Sequence, residues 1–233
     1  MMNKKVLSII GVSCLGAVLF AGSMLGGNTA EAGLNDYGKV SEYSKMLADN
    51  YQSVNDYYIE TLSVDGLSDN QKKEYLNRDD VYAVGNNIVI SKEEVQQYTD
   101  FYLHDGESEA DAHQLAVKDA MERNALYVAA IQNGFSVTDE EIQEWLTELR
   151  TMLENDTTGA YQSAMEGFES EDAYWEYEYE VYRVDLPIQN YVSSLQIDTN
   201  VSADSENGNS DTDAFSELKQ RLADEQDFKL TNL

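Results

Sequence analysis

The sequence predicts a mainly α fold with one small β element, following an N-terminal export segment. Three observations carry this prediction. Proline is almost absent, Pro187 being the only one, and glycine is sparse beyond the first residues, so few positions break a helix. The spacing Ser/Thr-x-x-Glu/Gln, which opens helices by a reciprocal capping box, recurs at Ser68 to Gln71, Ser91 to Glu94 and Thr138 to Glu141. Apolar residues then recur at intervals of three and four over several long stretches.

The N-terminus comes first. Lys4 and Lys5 precede Val6 to Leu25, an uncharged run of 20 residues that is apolar and rich in small side chains. Gly26-Gly27-Asn28-Thr29 breaks it, and Ala30-Glu31-Ala32 offers small residues at −3 and −1 for cleavage after Ala32. The run exceeds the ~7–15 residues of a usual signal core and reaches the length of a membrane span. Residues 1–32 are therefore a signal peptide or a retained membrane anchor. Either one sends the remainder across a membrane, to an extracytoplasmic location. Lipidation of Cys14 is the weaker reading, because Leu15 to Phe20 continue the apolar run beyond it. Without this segment the chain has no thiol, which excludes disulfides, thiolate metal sites and a cysteine nucleophile.

An N-terminal helical segment, residues 33–80, follows. Tyr43, Met46, Leu47, Tyr51, Val54 and Tyr58 give a helical period over Val40 to Ile59. Ser63 to Gly66 is a turn, and Ser68 caps a short helix to about Asn77. Residues 81–198 form the main helical domain. It opens with Val81 to Ile90, whose apolar flanks around Gly85-Asn86-Asn87 predict a hairpin. Ser91 caps a helix bearing Val95, Tyr98, Phe101 and Tyr102, with both arms of a capping box expected between Ser91 and Glu94. His104 to Glu107 is a break. Ser108 to Asn133 is a long helix that Gly134 ends in the left-handed conformation. Thr138 opens a helix with the stripe Ile142, Trp145, Leu146, Leu149 and Leu153. Tyr161 to Phe168 is a short helix. Ser170 starts a last long helix that Pro187 is expected to kink or divide, and Leu195 to Ile197 is a candidate strand. Residues 199–213, almost devoid of apolar side chains, form a flexible acidic linker. Residues 214–233 carry a helix with Phe215, Leu218 and Leu222, then a possible strand at Phe228 to Leu230, expected to pack back on the domain.

The net charge is −29, and removing Lys4, Lys5 and Glu31 leaves 13 basic and 43 acidic residues, −30. Such a surface excludes nucleic acid as a partner. Catalytic chemistry finds no support. No Gly-x-Ser-x-Gly or phosphate-cradling loop is present, and carboxylate pairs carry no information in a chain this acidic. The two histidines, His104 and His113, flank Asp105, Glu107, Glu109 and Asp111. Their spacing matches neither a calcium loop nor a zinc pair, and an acidic helix start accounts for the run. No catalytic residue, metal or cofactor is expected.

The order strand, capped helix, long helix, glycine turn, capped helix, aromatic helix carries a resemblance. Val81 to Glu94, VYAVGNNIVISKEE, looks like the V-x-V-N-G-x-x-I-T-x-x-E opening of the chaperone domain in SurA- and PrsA-type foldases. Met121 to Ile142 resembles that family's next block, L-L-Y-x-x-A followed by G-I-x-V-(S/T)-(D/E)-E-E-(I/V). Glu171 to Tyr191 is similar to the E-E-Y-W-E-x-Y … R-x-x-L-x-x-x-Y helix of its Gram-positive members. One departure stands out: Gly85 precedes Asn86, where the family has glycine after asparagine. The resemblance covers Val81 to Val192. The family commonly inserts a parvulin prolyl-isomerase domain before the final helix and strand, and here only the fourteen residues Asn200 to Asp213 occupy that place. The resemblance thus implies a SurA-N-like chaperone module without the isomerase, one that binds unfolded or newly secreted polypeptides.

The aromatic helix is the expected binding surface. Trp175, Tyr179, Tyr182 and Leu186 share one face, while Tyr174, Tyr177 and Val181 share another. One face belongs to the core. The second is either buried between neighbouring helices as well or supplies apolar area with polar tips suited to extended clients; on the latter reading Tyr174, Trp175, Tyr177, Tyr179 and Tyr182 are the candidate site. The other reading of the chain is an anchored adaptor that binds one folded partner.

Overall fold

A computed structural model describes residues 37–50, 54–155, 159–195 and 211–231. The export segment and most of the linker lie outside these residues. The described part is mainly α. In chain order it comprises α1 (Tyr37–Asn50), α2 (Val54–Thr61), α3 (Asp69–Tyr75), β1 (Val81–Val84), β2 (Val89–Ser91), α4 (Lys92–Asp105), α5 (Glu109–Gln132), α6 (Asp139–Glu154), α7 (Ala160–Met165), α8 (Glu171–Ser194), α9 (Asp211–Gln226) and β3 (Lys229–Leu230). Among the described residues no helix is long and apolar enough to cross a membrane.

The hairpin forms where the apolar flanks demand it. β1 pairs antiparallel with β2, Val84 facing Val89 and Ala83 facing Ile90, with an irregularity between Val81 and Ala83. Every residue of both strands is buried. Gly85 is explained by crowding rather than by a positive φ. A Cβ there would lie 2.8 Å from the Phe228 ring and 3.1 Å from Gln226 Oε1, so any larger residue would have to push the C-terminal segment aside. The packing of that segment thus favours glycine at position 85. Phe228 precedes β3, which pairs antiparallel with β1 and makes the sheet order β2-β1-β3. The Asn86 amide donates to the Gln226 carbonyl at 2.7 Å, and Thr231 Oγ1 donates to the Val81 carbonyl at 2.9 Å.

Helix α4 packs along α5, and α5 is the central element, touching α4, α8, α9 and β2. Gly106, at φ 108°, caps α4, so His104 belongs to its last turn and the break begins two residues later than the sequence suggests. Ser108 and Ser170 cap α5 and α8. The boxes at Ser68 and Thr138 are complete in both arms. At Ser91 only one arm forms: Ser91 Oγ accepts from the Glu94 amide at 3.0 Å, but the Glu94 carboxyl turns inward.

Three boundaries differ from the sequence reading. The helical period over Val40 to Ile59 belongs to two helices, α1 and α2. Helix α8 continues through Pro187 to Ser194, and Leu195 is its αR cap; the other two residues of the candidate strand, 196 and 197, lie outside the described residues. Pro187 removes only the donor to the Arg183 carbonyl, and the surrounding residues Val184 to Gln189 are all buried, so packing holds the helix. Helix α9 begins at Asp211, inside the segment read as linker.

Candidate functional site

The sequence-predicted surface lies between α6 and α8. The α6 stripe Ile142, Trp145, Leu146, Leu149 and Leu153 is buried, and α8 lies against it. Their outer edges leave an open groove of about 690 Å³, lined from α6 by Gln143, Leu146, Thr147 and Arg150 and from α8 by residues between Asp172 and Glu180.

The structure divides the five candidate aromatics. Tyr174 and Tyr182 are 0% exposed and Tyr177 is 6% exposed. The Tyr174 ring meets Phe168 edge-on at 5.4 Å, Tyr177 packs on the same Phe168 at 5.4 Å, and Tyr182 meets Trp145 at 5.8 Å. All three are core. The physical reason is that α8 touches α2, α5 and α6, so more than one of its faces is covered. Trp175 and Tyr179 are half-buried and line the groove. Tyr177 borders it too, but with almost no exposed surface. The helical face joining Trp175 and Tyr179 to Tyr182 is therefore open at its N-terminal end and covered beyond it.

Hydrogen bonds and charge hold the open end in place. Tyr179 Oη donates to Asp139 Oδ1 at 2.9 Å, tying α8 to the first turn of α6. The Arg150 guanidinium lies 5.7 Å from the Trp175 ring centre, within cation–π reach. It also pairs with Glu154 at 3.0 Å and with Glu171. Among the described residues Arg150 is the only cation lining the groove, whose walls also include the carboxylates Asp172, Glu176 and Glu180. Glu180 pairs with Arg183, which reaches Asp56 as well.

Sequence reasoning missed a second constellation, a buried polar cluster where α2, α4, α5 and α8 meet. Arg123 donates from Nε and Nη2 to Asp185 Oδ1 at 3.0 and 2.7 Å. The same guanidinium lies 4.8 Å from the Tyr58 ring centre. Tyr58 Oη donates to Glu94 Oε1, and Asn124 Nδ2 donates to that oxygen at 2.8 Å. Burial raises the Glu94 carboxyl to about 7, opposed by the bond from Tyr58, the charge of Arg123 and the bond from Asn124. Burial also pushes the hydroxyls of Tyr58 and Tyr98 upward. Glu94, Arg123 and Asp185 are each at most 4% exposed, so the cluster joins helices rather than meeting a substrate. A signal was present for one member: Asp185 lies between Val184 and Leu186 in an otherwise apolar stretch.

The two histidines separate. His104 stacks near Tyr43 at 6.1 Å, and His113 Nε2 lies 3.3 Å from Tyr82 Oη. Among the described residues no group of three or more His, Cys, Asp or Glu side chains is placed to hold a metal ion. No family model, no curated protein and no solved structure matches the chain.

Proposed function

We infer that the protein is an extracytoplasmic chaperone-like module that holds unfolded or newly secreted polypeptides without catalysing their isomerisation. The supporting observation is the α6–α8 groove. It leaves Trp175 and Tyr179 accessible on a helix whose other candidate aromatics are packed in the core. Rigid aromatic rings offer apolar contact area at low entropic cost and tolerate many client sequences. The large negative charge keeps a loaded complex soluble.

The test is suppression of aggregation for several unrelated unfolded proteins by residues 33–233 and by a Trp175→Ala, Tyr179→Ala double variant. Native protein should suppress aggregation of most of them, and the variant should do so poorly while keeping its helical content. Native protein that holds none of them, and copurifies from the membrane with one folded protein, would establish the adaptor reading instead.

A further inference from the structure

The groove has a chemical asymmetry. Asp172, Glu176 and Glu180 follow one another at every fourth residue of α8 and all three line it. In an α-helix that spacing places successive carboxylates ~6 Å apart along the axis. Trp175 and Tyr179, also four residues apart, form a parallel row beside them. Asp172 and Glu176 are exposed, Glu180 is shared with Arg183, and the groove cation Arg150 is engaged by Glu154 and Glu171. The site therefore presents a row of carboxylates next to a row of aromatic rings.

An extended polypeptide advances ~6.6–6.8 Å for every two residues, and alternate side chains point to opposite sides. That repeat matches the ~6 Å repeat of the α8 rows over the three positions available. We propose that the groove takes extended segments in which basic and apolar residues alternate, the basic side chains meeting Asp172, Glu176 and Glu180 while the apolar ones lie on Trp175 and Tyr179. This rests on the reading of the groove as the client surface. Lysine and arginine suit the arrangement, because their long stems cover apolar surface while the charged heads reach the carboxylates at the rim.

The experiment measures binding of fluorescent, end-capped nine-residue peptides to residues 33–233 by anisotropy. One alternates lysine and leucine, one has the same composition in two blocks, one alternates serine and leucine, and one alternates glutamate and leucine. The alternating lysine peptide should bind about three- to tenfold more tightly than the block peptide, the gain expected from two or three exposed ion pairs in register. An Asp172→Asn, Glu176→Gln variant should lose that preference, and the glutamate peptide should bind native protein most weakly. Equal binding of block and alternating peptides, or a preference that survives the double variant, overturns the proposed class as attraction to the acidic surface at large. Serine and lysine peptides that bind equally, and both fail with Trp175→Ala, overturn the class while leaving the groove as client surface. Binding that ignores Trp175→Ala removes the groove reading itself.

Discussion

The two halves of α8 meet opposite environments with a similar vocabulary. From Asp172 to Glu180 the helix borders solvent and carries carboxylates beside half-buried aromatic rings. From Val184 to Gln189 every residue is buried, and the sequence there includes Asp185, Pro187 and Gln189. The open half thus leaves Trp175 and Tyr179 half-exposed beside its carboxylates, whereas the closed half encloses Asp185 and Gln189 completely. Residue type alone does not separate the two environments, because neighbours decide which rings and polar groups are covered. The C-terminal half is covered by α2 and α5, which supply Tyr58 and Arg123, while the N-terminal half meets α6, Tyr161 of α7 and Phe168 and keeps one edge open. A buried polar group is tolerated where a partner is built in, and an aromatic ring is left exposed where no neighbour reaches it.

The largest effect that would sharpen this comparison comes from Arg123. Replacing it with methionine leaves Asp185 buried without its guanidinium. Removing one member of a buried pair costs ~3–5 kcal/mol, so denaturant unfolding should show a loss of that order. An Arg123→Met, Asp185→Leu double variant should recover much of it, since two apolar residues remove the stranded charge. A single variant that melts within a degree or two of native protein would show that the pair does not stabilise the closed half.

Glu94 adds a pH dependence whose sign is fixed. In the folded protein it holds its proton up to about 7, against an ordinary glutamate value of 4.5. Between those values the folded state binds more protons than the unfolded chain. Its contribution is therefore fully present below pH 4.5 and lost as pH rises through 7. The difference is on the order of 3 kcal/mol at most. Glu94→Gln keeps an oxygen for Tyr58 and Asn124 and has no proton to lose. The variant should show a flatter stability profile between pH 5 and 7 and should exceed native protein at pH 8. Parallel profiles for the two proteins would mean that Glu94 ionises normally.

A smaller effect tests the closed half from the other side. Gln189 is 0% exposed, and neither its amide oxygen nor its amide nitrogen has a hydrogen-bond partner among the described residues. An unsatisfied buried amide costs ~1–3 kcal/mol. Gln189→Met, similar in size and apolar, should leave stability unchanged or raise it by about 1 kcal/mol. A clear loss in thermal unfolding would show that the amide is engaged in solution.

Much of this architecture is legible in the sequence. The caps at Ser68, Ser108, Thr138 and Ser170, the left-handed Gly134 and the hairpin flanks are local signals, and local signals survive folding. Ser91 shows where such reading stops. Its spacing to Glu94 is that of a capping box, yet the carboxyl is taken by Tyr58 and Asn124, 36 and 30 residues away. Gly85 is similar, since its cause, Phe228, lies at the far end of the chain. The division of the aromatic helix was illegible for the same reason. Periodicity identifies which residues share a face, but not how many neighbours that face will meet, so Tyr182 and Tyr179 look equivalent until α6 and the core are in place.

The smallest effect on stability should come from Tyr179, and it separates ring from hydroxyl. Tyr179 Oη donates to Asp139 at 2.9 Å and ties α8 to the first turn of α6. An exposed bond of this kind contributes ~0.5–1.5 kcal/mol. Tyr179→Phe should therefore lower stability by about 1 kcal/mol or less while keeping the aromatic face. If client holding depends on the ring, Tyr179→Phe should suppress aggregation as well as native protein, and Tyr179→Ala should not. Holding of that kind should persist from 0.1 M to 1 M salt, as the Debye length shrinks from ~10 Å to ~3 Å. The preference for alternating lysine peptides should fade over the same range, because exposed charges supply it. Should Phe and Ala weaken holding equally, the hydroxyl and its tie to α6 would matter more than the ring, and the open half of α8 would act by positioning α6 rather than by touching the client.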